Sequence, residues 1–396
     1  MIKKRNYDTA FDKNKADYLL SIAAMLQPVL VLLQLYAIDV MRMDLEAANR
    51  MRIVLTALPI VSAMMVVVSR KLTLTVVAYF IVGTIVLFTL VRFPGRWSYM
   101  SSDLLKFTLP VLIPSGLCIA SVNNFAVLIR SMLYVSVLAA VIGLLYAAMY
   151  LSGAFYIEGY NIAFSYALLF PTFVLINKKF WLWKMLAAFM MLEMLAIGSR
   201  GALLISVAYW FFTILYEKYS LGKILLYCMG LVASIAVLFQ PLVNMLVSLF
   251  SMIGLRSRTL MLLTSDELLT HDSGRDEIYM KVWNLIGQNP VMGSGIWADR
   301  AQFGSYCHNV FLELLVDFGY LGASILLIIF FVSQFKVFKN LTDNHKKMYI
   351  MMFSILLPLM VSSSYLTSFN VGMFLGFSYL ESQMSKKKLY QNYKYE

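Results

Sequence analysis

The chain has 396 residues, 61% of them hydrophobic and only 14% charged, with a formal net charge of +12. Soluble domains carry about 25% charged residues, so this composition excludes an ordinary soluble globule and points to a membrane protein. The basic balance alone would admit a nucleic-acid partner, but the distribution of the cations along the chain argues against one.

The opening stretch, MIKKRNYDTAFDKNKADYLL, is polar and basic before the first apolar run. It lacks the short apolar core and small-residue cleavage site of a secretory signal, so the first helix is expected to be an uncleaved anchor. Apolar runs then recur near 17–38, 51–69, 72–91, 103–121, 128–150, 161–177, 180–198, 201–217, 222–240, 309–334, 348–366 and 369–385. Runs of about 20 residues cross a hydrocarbon core as helices, and inside lipid a helix satisfies its own backbone. The expected fold class is therefore all-α, a polytopic membrane protein of about twelve transmembrane helices. About nine lie in 1–240 and about three in 309–396, the latter ending in a cytoplasmic tail. Between them, 241–308 forms a long structured outer loop with short helices. The apolar segment just after Pro241 is short, and reads as re-entrant or interfacial rather than spanning. Cys118 and Cys228 fall inside apolar runs and Cys307 stands alone, so no disulfide framework or thiolate metal site follows.

Lysine and arginine divide between the two sides. SRK (69–71), NKK (177–179), YEKYSLGK (216–223), the link 334–347 and the tail hold nearly all the lysines, which places them and both termini in the cytoplasm. Arg42, Arg50, Arg52, Arg92, Arg96, Arg200, Arg256, Arg258, Arg275 and Arg300 map to the outer side. A guanidinium matches phosphate oxygens bidentately where an ammonium does not, so this outer face suits a phosphorylated, lipid-borne ligand. For Arg42, Arg50 and Arg52, pairing with nearby groups such as Asp44 and Glu46 is the favoured reading.

Three constellations carry candidate chemistry. The first is IGSRGALL (197–204), where Arg200 stands between Gly198 and Gly201, with Glu193 two turns earlier; Glu193 reads equally as a functional carboxylate and as a structural partner of Arg200. The second is SGRDEIY (273–279), with Arg275 in the outer loop; by itself it says little, because an Asp-flanked arginine is often a loop staple. Beyond it, Ile278, Val282 and Leu285 keep helical spacing, as a folded lid would, and Gly293, Ser294 and Gly295 suit a tight turn that closes on something. The third is SYCHNVFLELLVDFGYLG (305–322). Here His308 and Asn309 begin a helix, where free amides favour an anion, and Glu313 and Asp317 share one face below them. His308 and Glu313 each have the chemistry of a proton acceptor. Gly319 and Gly322 suit close helix packing. Of the three histidines, His345 is cytoplasmic, so a multi-histidine metal site is not expected.

These motifs, in the order IGSRGALL, SGRDEIY, GSGIW and HNVFLELLVDFGYLG, resemble the O-antigen polymerase and O-antigen ligase family over roughly residues 160–330. The resemblance implies a glycosyltransferase of the bacterial cytoplasmic membrane, with the helical fold of lipid-dependent (GT-C-like) glycosyltransferases and its site on the outer face. Donor and acceptor would be oligosaccharides on undecaprenyl diphosphate, used for O-antigen, lipopolysaccharide or capsule assembly. Carried over by residue, Arg200 and Arg275 would hold the diphosphate with Asn309, and His308 would lie at the reacting centre with Glu313. Glu193, Arg256, Arg258 and Arg300 would lend support. Neither cofactor nor metal is implied; membrane lipids and a chain-length-regulating membrane protein are the further partners, and nucleic acid is not one.

The expected activity is polymerisation of repeat units. The nearest rival is a ligase that moves the finished chain to lipid A core or another acceptor. A metal-dependent glycosyltransferase using Asp44 and Glu46 is a third reading. A flippase is the rival from another class, though the halves show no internal repeat of the kind transporters carry.

Overall fold

The computed structural model describes residues 2–155, 161–218 and 275–393, with isolated positions at 223, 244, 245, 247, 248 and 252. The side chains of residues 2–13, 217, 218, 386–393, Arg200 and Arg275 lie outside that description. All regular structure among the described residues is helical. In chain order the helices are α1 (Ile2–Met25), α2 (Gln27–Asp39), α3 (Leu45–Arg92), α4 (Trp97–Asp103), α5 (Ile113–Ala120), α6 (Phe125–Leu151), α7 (Ile162–Ile176), α8 (Trp181–Ala196), α9 (Arg200–Lys218), α10 (Arg275–Gln288), α11 (Ala298–Phe303), α12 (Val310–Lys339), α13 (Asp343–Ser354) and α14 (Phe369–Tyr393).

Four helical stretches among the described residues are long and apolar enough to cross a membrane: α3, Pro94–Ala120, α6 and α12. A fifth is added if Asn14–Met25 and Gln27–Asp39, bent by 53°, make one span. Many apolar side chains of α3 and α12, Phe80 and Phe335 among them, are exposed, as lipid-facing residues would be.

The breaks explain where run length and helix length part. Pro28 lacks an amide hydrogen and its ring crowds the carbonyl four residues back, so the run 17–38 bends at Leu26. The run 103–121, with Pro110 and Pro114, becomes a π-helical segment (Leu104–Leu112) leading into α5. The runs 51–69 and 72–91 are one helix interrupted at Lys71 (φ −143°, ψ 42°). The span expected over 348–366 is not one helix: α13 stops at Ser354, a 3-10 turn carries Pro358, and irregular backbone runs on to Ser368. The span expected over 222–240 lies outside the described residues.

The chain forms two compact units. The first comprises Met1–Leu26, Ile53–Met132 and Ser273–Glu396. Its centre is a crossing of α5 and α14 at which backbones touch. A Cβ on Gly372 would strike the Leu112 carbonyl, one on Gly376 the Gly116 carbonyl, and one on Gly116 would lie 2.8 Å from the Gly372 oxygen. Small residues let helices approach this closely in a membrane protein, and no flexible side chain is there to yield. Gly372→Ala and Gly376→Ala should each destabilise by about 1–3 kcal/mol, the usual effect of overpacking. Gly83→Ala, at an open position, serves as control in thermal unfolding of the detergent-solubilised protein.

The second unit comprises Gln27–Arg52 and Leu133–Asp272. In it α7 packs against α2, α8 and α9. Tyr146 of α6 donates to Asp39 Oδ2 at 2.5 Å and stacks on Phe164, while Asn177 Nδ2 donates to the Tyr209 hydroxyl at 2.5 Å.

Candidate active site

The lid helix α10 buries Val282, Leu285 and Ile286, with Ile278 at the edge, against Leu312, Leu315 and Val316 of α12. The spacing thus marks a helix that is present and packs by the expected face. The Gly293-Ser294-Gly295 turn then closes on a definite partner, the interior of α12. At Gly319 (φ 65°, ψ −176°) that helix leaves helical geometry. In an unbroken helix the amides of Tyr320 and Leu321 would bond the carbonyls of Val316 and Asp317. Instead they donate to Pro290 O at 2.7 Å and Val291 O at 3.3 Å, and the released carbonyls accept from Ser294 N at 2.7 Å and Gly295 N at 3.0 Å. Lid and helix thus satisfy each other's backbone. A Cβ on Gly319 would strike the Val291 carbonyl, and one on Gly293 would lie 2.5 Å from the Asp317 oxygen. Gly319 is therefore a docking break rather than a packing notch.

Below this clasp lies a buried charge network, all within the first unit. Arg300 Nη1 donates to Asp299 at 2.9 Å and to Glu313 Oε1 at 2.7 Å. Its Nη2 donates to Ser364 Oγ at 2.7 Å and its Nε to Asp103 Oδ2 at 3.4 Å. Burial alone would lower the pKa of Arg300, but Asp299 and Glu313 more than reverse this and hold it charged. Ser364 donates to Glu313 Oε1 at 2.5 Å, the Tyr365 amide to Oε2 at 3.3 Å, and the Tyr365 hydroxyl to Asp317 Oδ2 at 2.5 Å. Trp297, buried in a left-handed backbone (φ 60°), donates its indole N–H to Asp103.

His308 lies just beyond this network, half-buried and also left-handed (φ 56°). Asp299 Oδ2 accepts the Cys307 amide at 3.1 Å, which ties the preceding residue to the network. Burial first, and then Asp299, push the Cys307 thiol up, so it stays a thiol and donates to the same oxygen at 3.4 Å. The Tyr306 ring lies 4.2 Å from the imidazole. Asn309 is the N-cap of α12: its Oδ1 accepts from the amides of Phe311 and Leu312 at 3.0 and 3.3 Å, and its Nδ2 donates to Met360 O at 3.4 Å. Two of the helix-terminal amides that the sequence offers to an anion are thus capped from within the chain.

Of the expected site residues, the structure brings His308, Asn309, Glu313 and Arg300 together. Arg300 and Glu313 are bonded to one another, which suits them to holding the site in shape more than to gripping a ligand. Arg275 begins α10 and Arg200 begins α9, in the second unit. Arg256 and Arg258 lie outside the described residues. At the IGSRG junction, Gly198 lies flush against Ser165, whose Oγ accepts the Ser199 amide at 2.6 Å. Gly198 thus serves packing there rather than access. Glu193 is buried facing Gly143, and neither of its oxygens has a hydrogen-bond partner among the described residues.

Arg42, Arg50 and Arg52 bond neighbours in the second unit: Ala154 O at 3.2 Å, Glu46, and Gln34 Oε1 at 2.7 Å respectively. Asp44 Oδ1 caps its own helix by accepting from the Ala47 amide at 2.9 Å. With Glu46 on Arg50, the Asp44/Glu46 pair has local roles that need no metal. Asp103, Asp299, Ser364 and Tyr365 were not singled out by sequence. The available signals were the Asp299-Arg300 doublet and the polar run SSSYLTS (362–368) inside an apolar stretch.

No curated protein matches the chain. Residues 185–327, from α8 through the lid into α12, match the family model described as O-antigen ligase, and over that segment the chain is similar to an O-antigen polymerase or ligase family.

Proposed function

We propose that the chain is a polysaccharide polymerase that transfers a growing glycan from undecaprenyl diphosphate to the next lipid-linked repeat unit. The acceptor sugar hydroxyl attacks the anomeric carbon, the bond from that carbon to the diphosphate oxygen breaks, and the diphosphate leaves on its lipid. His308 takes the hydroxyl proton. Arg200 and Arg275 hold the diphosphate and stabilise the charge released as it leaves. Arg200 is the first residue of α9, an end at which the helix dipole favours an anion.

The observation that carries this reading is the backbone of His308. A left-handed non-glycine residue is strained, and such strain gathers at functional sites. Here it is sustained by a tether from Asp299 to Cys307, so the imidazole is held where folding alone would favour glycine.

The full arrangement we propose has about twelve spans, both termini in the cytoplasm, a GT-C-like helical body, and the reaction on the outer face of the cytoplasmic membrane. A second reading, transfer of the finished glycan to a lipid A core, is favoured by the description of the matching family. The two separate in one assay, in which purified protein receives lipid-linked repeat units alone or together with a core acceptor. Polymer from repeat units alone supports the polymerase, and product only on the core supports the ligase. In that assay Arg200→Lys and Arg275→Lys should each lower turnover at least about tenfold, because an ammonium cannot replace bidentate contact. Normal yield and length from either variant removes that residue from the diphosphate site. Activity should persist in excess chelator; loss restored by Mg²⁺ or Mn²⁺ would favour the metal-dependent reading.

A further inference from the structure

We infer that Tyr306 is a positioning residue for His308, passing the rigidity of the Arg300 network to the imidazole through its ring. The inference rests on the base role proposed for His308. An imidazole turns about a broad terminal torsion, so its nitrogens point in a defined direction only if a neighbour fixes the ring plane. Histidines in active sites are often oriented by a carboxylate. Here an aromatic ring lies against the imidazole, with centroids 4.2 Å apart and planes tilted by 44°.

That ring is itself held on two sides. The Tyr306 hydroxyl donates to Ser362 O at 2.8 Å, and the Arg300 guanidinium lies over the ring at 5.4 Å. Arg300 in turn is fixed by three carboxylates and a hydroxyl contributed by α4, α11, α12 and the irregular segment before α14. Between the two rings, Cys307 is fully buried in the lid core and tethered to Asp299. Tyr306, Cys307 and His308 therefore form one stiff unit, anchored by side chain, backbone and side chain in turn.

If the ring positions His308, its loss should lower kcat and leave substrate binding nearly intact, since a small misplacement of a reacting group costs rate steeply. Tyr306→Leu is expected to lower kcat per folded enzyme at least about tenfold, with KM within about threefold. Tyr306→Phe retains the ring between Arg300 and His308 and should restore kcat to within about threefold of wild type. Should Tyr306→Leu fold poorly, Tyr306→Met, closer to the tyrosine in length, takes its place with the same expectations. A purely space-filling tyrosine would instead reduce the amount of folded protein and leave kcat per folded molecule unchanged, which overturns the inference. Equal losses in the Phe and Leu variants overturn it as well, because the ring survives in one of them. His308→Gln is measured alongside. If it is inactive while Tyr306→Leu is fully active, only the positioning role fails. If His308→Gln turns over normally, the base reading fails and takes this inference with it.

Discussion

Replacing His308 by glycine should abolish turnover, by at least about a hundredfold, without weakening the fold. The loss follows from removing a positioned proton acceptor, whose contribution is about 10²–10⁴-fold. The retained stability follows from the backbone. At φ 56° a side chain costs about 1–2 kcal/mol that glycine does not incur, while glycine gives back about 0.5–1 kcal/mol through the entropy of its unfolded chain. The first effect is at least as large as the second, so the unfolding midpoint should not fall below that of wild type. His308→Ala keeps the strain and loses the imidazole, and should be both inactive and slightly less stable. Added imidazole should return part of the activity to His308→Gly, since the space beside Tyr306 is then open to a free base. The measurements are polymer formation from lipid-linked repeat units and thermal unfolding of the same preparations. Full turnover in His308→Gly would remove this residue from the mechanism and leave its backbone strain unexplained.

The local parts of this site were legible in sequence because local chemistry determines them. His308 and Asn309 stand out as polar residues at the mouth of an apolar helix, and the helix does begin there, although Asn309 caps it, a role not read from the sequence. The spacing of Ile278, Val282 and Leu285 marked the lid face that packs on α12. What Gly293 and Gly295 close upon was not legible. A lone glycine such as Gly319 inside an apolar run reads as a packing notch, and the exchange of backbone bonds with 290–295 exists only in the folded chain. An apolar run does not mark helix ends where proline intervenes, as at Pro28 and again at Pro358. In sequence Arg300 reads only as one of the outer arginines that would support the site, because its partners come from positions 103, 299, 313 and 364, which no sequence window joins.

That network leads to the second large effect. Arg300→Ala should leave Asp299 and Glu313 buried without their cation and destabilise the protein by about 3–5 kcal/mol, the usual consequence of breaking a buried ion pair from one side. In a protein of ordinary marginal stability, about 5–15 kcal/mol, that is a large fraction of the whole. Arg300→Lys keeps the charge but offers a single point of contact, and one ammonium cannot reach Asp103, Asp299, Glu313 and Ser364 together. It should therefore fold partially, with the lid the first part to open, because α11 and the Cys307 tether both depend on Asp299 remaining in place. Limited proteolysis within 289–308 reads this directly, and wild-type protein should resist cleavage there. A different result is expected if Arg300 were a ligand-binding arginine of the kind proposed for Arg200 and Arg275. Its replacement would then abolish turnover while leaving unfolding and proteolysis unchanged. Lost protease resistance together with lost stability, alongside a fall in turnover per folded molecule, identifies Arg300 as the residue that holds the His308 segment to the body of its unit. Wild-type stability in Arg300→Ala would instead mean that Asp299 and Glu313 shed their charge at little cost, and that the site is held by the lid clasp at Gly319 alone.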